Sequence, residues 1–294
     1  DFEHLPAKAH QLLKKALAKH CGERYTEYLG KLKRGEAKIN TAGLMPHELA
    51  APYITGRVRQ VDETIEGAWR TLLAKLKAKC SSTGGLKNAI AIVDVSGSMT
   101  CNGGIPMNVG ISLGLLISEL AVGPFQGRCI TFSEQPTWHA IPQNTTLYEQ
   151  VTSMQRMNWG MSTNLMSVFE MILTTAVKAR VSQAEMPSTM FILSDMQFNQ
   201  ACRGDEFMNS GAYRTIKAKY ATAGCTIPSI IFWNLNGATH GDFPVDVTTE
   251  GVALIGGYSA ELLKAFLEGH DINPMNIMLQ TIKPYSAVIE ESER

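Results

Sequence analysis

The chain contains no C-x-x-C pair, and its cysteines (Cys21, Cys80, Cys101, Cys129, Cys202 and Cys225) lie far apart along 294 residues. That spacing argues against a disulfide framework and fits free thiols in a reducing compartment, so a cytoplasmic location is expected. No apolar run reaches the roughly 18–20 residues that cross a bilayer, and no membrane partner is expected. Nor is a secretory signal expected ahead of the fold. A chain that starts with Asp1 rather than Met is expected to be a piece of a longer one. Net charge is also missing, since 27 Lys and Arg balance 27 Asp and Glu. The balance hides an asymmetry: residues 1–85 carry 15 basic against 9 acidic side chains, leaving 12 against 18 for the remainder. Such an excess suits either an anionic partner or ordinary lysine-rich helix surfaces.

What is present is a globular composition, 45% hydrophobic and 18% charged, in a chain long enough for one large domain or two small ones. Residues 1–82 read as helical. In "LPAKAHQLLKKALAKH" helical spacing puts Leu5, Ala9, Leu12, Leu13, Ala16 and Leu17 on one stripe, the expected core face. "RYTEYLGKLKRG" continues to Gly35, a loop follows, and Pro46 suits the first turn of a short helix. "VDETIEGAWRTLLAKLKAKC" is a long amphipathic helix carrying Trp69, Leu72, Leu73 and Leu76, and "SSTGG" at 81–85 is a turn or linker.

Beyond residue 85 short apolar runs at 88–95, 128–133, 189–194, 228–233 and 252–255 alternate with helical stretches at 106–121, 164–181, 207–222 and 259–268. This rhythm predicts an α/β fold, a mostly parallel sheet with helices on both faces. "CITFSEQPTWHAI" breaks the pattern and predicts an antiparallel pair at a sheet edge, turning at Glu134–Pro136.

In such sheets ligands bind beyond the carboxyl ends of the strands. There "IAIVDVSGSM" (90–99) changes from an apolar strand to Asp94, Ser96 and Ser98, and "MFILSDMQF" ends a second strand at Asp195. Two carboxylates at neighbouring strand ends repel unless a cation lies between them. Thr163, in "NWGMSTNLM", adds a further hydroxyl. All donors are oxygen, the chemistry of a hard cation: Mg²⁺, or Mn²⁺ or Ca²⁺. Zinc is disfavoured because no Cys/His spacing exists to hold it. The bland alternative is that Ser96 and Ser98 cap the following helix while Asp195 satisfies loop amides.

Asp94-x-Ser96-x-Ser98, a later loop Thr and a strand-ending Asp resemble the metal-ion-dependent adhesion site of von Willebrand factor A domains. That resemblance implies a Rossmann-like A domain over 86–285, a helical segment at 1–82 and a tail at 286–294. It also implies that Asp94, Ser96, Ser98, Thr163 and Asp195 surround the ion and that an acidic residue of a protein partner completes its shell. A neighbouring copy of the chain is one source of that residue. Met99, Met161 and Met196 each adjoin an expected ligand and read either as an apolar partner-binding rim or as core. Helices leading into "KINTAGLMPHELAAPYI" and then an A domain resemble a family of plant, fungal and giant-virus proteins. That family is distantly similar to the Ro ribonucleoprotein, whose helical ring binds RNA. By that likeness Lys14, Lys15, Lys19, Lys31, Lys33 and Arg34 are the candidate nucleic-acid contacts, with Tyr25 and Tyr28 nearby.

Other classes fit less well. "DVSGSMTCNGG" is neither G-x-G-x-x-G nor a P-loop, and a carboxylate at its head repels phosphate. No G-x-S-x-G elbow supports a serine hydrolase. A metal-dependent hydrolase is the remaining enzymatic alternative, but it wants a general base, and none of the seven histidines adjoins an expected ligand in sequence. Cys101, three residues after Ser98, reads as a half-buried packing residue before a reactive thiol. The expectation is a binding module rather than an enzyme.

Overall fold

A computed structural model describes residues 1–80, 86–132, 135–157, 164–196, 211–236 and 251–258. Four helices come first: α1 (Ala7–His20), α2 (Gly22–Arg34), α3 (Pro46–Ile54) and α4 (Glu63–Cys80). After them come β1 (Leu86–Lys87), β2 (Ala89–Asp94), α5 (Cys101–Leu120), β3 (Ala121–Val122), β4 (Arg128–Phe132) and β5 (Trp138–Ala140). The described elements end with α6 (Leu147–Gln155), α7 (Leu165–Ala179), β6 (Thr189–Ser194), α8 (Gly211–Thr222), β7 (Ser229–Asn234) and β8 (Val252–Gly256).

Six strands form one sheet in the order β5-β4-β2-β6-β7-β8. All neighbours are parallel except β5, which pairs antiparallel with β4 at the edge. The expected antiparallel pair is therefore found where "CITF" and "WHA" stand. Residues 133 and 134 of its turn lie outside the described residues. Every residue of β2 is buried, as a strand covered on both faces must be. Ala89, Ala91 and Val93 join a core with α5 and α6, whereas Ile90 and Ile92 join a second core with α7 and α8. This is the α/β, Rossmann-like arrangement expected, with helices on both faces.

α5 sits close on β2. A Cβ built on Gly114 would lie 2.7 Å from Val93 Cγ2, so only glycine permits this approach. The first residues of α5 are irregular: Asn102, Gly103 and Gly104 have positive φ, and regular helix follows near Pro106, the residue where the apolar pattern predicted it to start. By length and composition Gly97–Leu120 could cross a membrane, contrary to the sequence reading. Here it is a core helix, with 78% of its apolar window buried.

α3 lies on α5 and α6, and α4 on α2, so the helical segment shares one continuous core with the sheet's first face. One expectation is overturned. α1 buries Ala7 and His10, while Leu12 and Leu13 of the expected core stripe are 80% and 47% exposed. The cause is aromatic: the His10 ring stacks on Tyr25 and Tyr28 at centroid distances of 5.9 and 5.4 Å. Its Nε2 also lies 2.9 Å from the Phe2 carbonyl oxygen. Those contacts turn the helix so that the leucines face outward.

Candidate functional site

β2 is the centre from which the chain goes first to β4 on one side and then to β6 on the other. The carboxyl ends of β2 and β6 therefore form the switch point where open α/β sheets bind ligands. Asp94 closes β2, and Ser194 closes β6 just before Asp195. Both carboxylates are wholly buried.

The turn after β2 is built by Asp94 itself. Its Oδ1 accepts the Ser96 N–H at 2.9 Å, an Asx turn, and a 3₁₀ turn follows at Gly97–Thr100. That geometry brings Ser96 Oγ and Ser98 Oγ to 3.0 Å from each other. The second carboxylate oxygen, Oδ2, accepts the Ser194 hydroxyl at 2.6 Å, the short length of a charge-assisted bond. Ser194 Oγ in turn accepts the Met196 N–H at 3.1 Å, and the Ser194 carbonyl accepts the Leu235 N–H beyond β7. Asn236 Oδ1 takes the Asn102 amide (3.1 Å) and the Cys101 thiol (3.5 Å), tying the start of α5 to the end of β7. Cys101 is half-buried in that contact.

No Lys or Arg forms an ion pair with Asp94 among the described residues. Burial pushes its carboxyl up to about 6, against the lowering effect of the Ser194 and Ser96 bonds, and the charge of Asp195 adds to the rise. A cation beside it would reverse that penalty. The donors fit a hard ion: two carboxylates and two hydroxyls, with no trio of His, Cys, Asp or Glu side chains among the described residues.

Asp94, Ser96, Ser98 and Asp195 are thus brought to one place. Thr163 and Met161 lie outside the described residues. The expected methionine rim fails for the two residues that are described. Met99 is 0% and Met196 4% exposed, one in each core. Met99 is held inward by the 3₁₀ turn, and Met196 follows the buried Asp195 with φ of 62°. Sequence reasoning missed Ser194. Its signal was a hydroxyl closing the apolar run Met190–Leu193.

Four of the six candidate contacts pair with neighbouring acids, while residues 1–85 keep six more basic than acidic side chains. Lys14 meets Asp62 at 2.5 Å, Lys31 meets Glu27 at 2.8 Å, Lys33 meets Glu63 at 3.9 Å and Arg34 meets Glu36 at 2.8 Å. Lys15 and Lys19 have no ion pair among the described residues. Tyr25 and Tyr28 are buried, so neither offers a face to a base. His139 lies on β5, as expected of an edge strand, with Nε2 3.0 Å from Ser153 Oγ.

Residues 1–81 match a domain of unknown function (DUF2828), and residues 88–291 match another (DUF7788). An uncharacterised protein, L728, of Acanthamoeba polyphaga mimivirus is 37% identical over 97% of this chain. The chain spans 50% of that relative's length. Among solved structures, the Ro (RSR) protein of Deinococcus radiodurans matches with a TM-score of 0.48 and 18% identity. That match covers 82% of this chain and 46% of the other. The proximal thread matrix protein 1 of the mussel byssus matches at 0.36 and 16%, covering 63% and 46%. With one family model spanning more than two thirds of the chain, the protein belongs to the domain-of-unknown-function family DUF7788.

Proposed function

We propose that this protein is a divalent-metal-dependent protein-binding module of the von Willebrand A type, and that it binds rather than catalyses. One observation carries the reading. Two buried carboxylates, Asp94 and Asp195, stand at adjacent strand ends with the Ser96 and Ser98 hydroxyls gathered beside Asp94. In this reading Asp94, Ser96, Ser98 and Asp195 hold Mg²⁺, or Mn²⁺ or Ca²⁺, together with Thr163. The bound ion supplies a hard positive centre at the rim of the sheet. A shell this rich in neutral hydroxyls leaves the ion ready to exchange a water for an acidic side chain of a partner. Within the chain, Ser194 and the Ser96 amide hold the Asp94 carboxylate in one orientation before any ion arrives. The burial of Tyr25 and Tyr28 removes the aromatic faces on which a base would stack, which disfavours the RNA reading.

The test is calorimetric titration of Mg²⁺ and Mn²⁺ into chelator-treated wild type and Asp94→Ala. Wild type is expected to bind and D94A to lose binding while still folding. Silence from wild type, or equal affinity in D94A, would sink the proposal. Capture of a partner should also be lost on adding chelator.

A further inference from the structure

Where α6 begins against the helical segment, the junction leaves a cleft of about 860 Å³, within the size range of small-ligand sites. α4 lines it through Glu63, Glu66, Arg70 and Leu73, and residues 144–146 with the first turn of α6 line it from across. Glu119 of α5 also lines it. Leu147, Gln150 and Trp69 make a buried floor. Val61, Lys33 and Glu149 make an exposed rim.

The donors of this cleft are committed within the fold. Glu66, buried in the first turn of α4, accepts the Leu147 N–H at 2.8 Å on Oε2. Its Oε1 accepts the Tyr148 N–H at 3.1 Å and the Tyr53 hydroxyl at 2.9 Å. Those amides open α6 and have no partner inside their own helix. The third, of Glu149, donates to the Thr146 hydroxyl at 3.2 Å. Arg70 donates to the Leu32 and Lys33 carbonyls at the end of α2. Gln150 Nε2 donates to Glu119 Oε1 at 2.8 Å and to the Pro142 carbonyl at 3.3 Å.

What remains unmet is an acceptor. Gln150 is 2% exposed, and its Oε1 has no hydrogen-bond partner among the described residues. Both groups facing Nε2 are acceptors, so the amide cannot be turned to exchange the two atoms. A buried amide oxygen without a donor is destabilising. The charge around it has the same sense. Glu63, Glu66, Glu119 and Glu149 line the cleft against Lys33 and Arg70. Lys33 stands 3.9 Å from Glu63 at the rim. Lys77 reaches Glu119 Oε2 at 3.1 Å, whereas Oε1 is turned to Gln150.

We propose that this cleft binds an alkyl cation, a guanidinium or primary ammonium on an aliphatic stem. The head group donates to Gln150 Oε1 and the Glu119 carboxylate, and the stem lies along Leu73 and Val61. Such a head brings several N–H donors and no acceptor, the complement of what the cleft leaves unmet. A phosphate or carboxylate would meet further acceptors and be repelled. The cation has two sources, a free small molecule or an arginine or lysine side chain of a protein partner. None of these residues is a donor of the proposed metal site, so the inference stands apart from that reading.

The test titrates two probes by calorimetry into chelator-treated protein at pH 7.5 and low salt. Agmatine carries both head groups on one alkyl stem, and acetyl-Ala-Arg-Ala-amide presents the same guanidinium on a peptide. The variants are Glu119→Gln and Gln150→Leu. The control is Glu185→Gln, which removes a carboxylate outside the cleft and keeps its capping box with Ser182. Wild type is expected to bind at least one probe with Kd tighter than about 1 mM. E119Q and Q150L should each weaken that binding at least about fivefold, as loss of a hydrogen bond to a charged group does. E185Q should change it under about twofold. Binding of agmatine assigns the site to a free cation, and binding of the peptide alone assigns it to a partner's side chain; either supports the inference. E119Q remains informative if Q150L fails to fold. Binding of neither probe overturns the inference, as does wild-type affinity in either folded cleft variant. Equal weakening in E185Q overturns it by reducing the effect to diffuse attraction.

Discussion

Replacing Ser194 with Ala takes one oxygen from the sheet and strands two buried groups. Asp94 Oδ2 loses the 2.6 Å bond donated by the hydroxyl, and the Met196 N–H loses its acceptor at 3.1 Å. A hydrogen bond to a charged group contributes about 1.5–3 kcal/mol, and an unsatisfied buried N–H costs about 1–3 kcal/mol. The two losses share one atom and overlap, so S194A should cost about 2–4 kcal/mol in chelator at pH 7.5. Ser112→Ala is the matched control. Its hydroxyl is equally buried but donates to the Val109 carbonyl in its own helix, and deleting it should cost under about 1 kcal/mol. The pH dependence follows from the sign of the Asp94 shift. Its folded value, about 6 against an ordinary 3.8, means the folded state holds the proton more tightly. Stability from this group is therefore full below 3.8 and lost as pH rises through about 6. Ser194 opposes that rise, so the S194A penalty should be largest above pH 6 and shrink at pH 4.5. Urea unfolding of wild type, S194A and S112A at pH 4.5 and 7.5 reads this as midpoints at constant m. A penalty no larger than that of S112A, or one that grows toward acid, would refute the assignment of Ser194 as the holder of Asp94.

Gly114→Ala places a methyl 2.7 Å from Val93 Cγ2 on a core strand. A net loss of about 1–2 kcal/mol in urea midpoint is expected, after the better helix propensity of Ala offsets part of the overpacking. Gly110→Ala meets Met99 Cε and Leu235 Cδ1 at 3.3 Å, ends of flexible side chains, and should be nearly neutral in the same assay. Burial raises Glu66 above its ordinary 4.5, outweighing the bonds from Leu147, Tyr53 and Tyr148. Its stabilising contribution is therefore full below 4.5 and declines as pH rises through the raised value. Wild-type stability should fall relative to E66Q across that interval; a parallel pH profile would contradict this. Leu12→Lys should leave the urea midpoint within about 0.5 kcal/mol of wild type, because Leu12 is exposed. Leu32→Ala, fully buried under Gly67, should cost about 2–5 kcal/mol.

Elements whose evidence was local could be read from the chain. The alternation of apolar runs and amphipathic stretches identified β2, β4, β6, β7 and β8, because strands in a sheet covered on both faces are mostly apolar along their length. Asp94 and Asp195 stood out because each interrupts an apolar run at its end. What escaped depends on partners distant in sequence. Ser194 is one small residue in a buried strand, and its role exists only because β2 lies beside it. Glu66 reads as a solvated charge until α6 is folded against it. The outward Leu12 and Leu13 had the right period but the wrong partner face, since periodicity cannot weigh apolar area against a His10–Tyr25–Tyr28 stack. Met99 and Met196 failed for a related reason: which way a residue points at a turn is set by backbone angles that composition does not carry.

α5 has consequences for the order in which the chain folds. A helix apolar enough to resemble a membrane span emerges from the ribosome about seventy residues ahead of β6, and further still ahead of β7. Its eventual cover on the sheet side is then incomplete, and bare apolar segments of this kind aggregate. α3, the surface that packs along its other side, has already been made. Synthesis of residues 1–80 first means that α5 meets a native neighbour as soon as it appears. A chain beginning at residue 86 would present the same helix to solvent with one flank stripped. Its soluble yield should be lower than that of the 294-residue chain, and equal yields would show that α5 needs no such early cover.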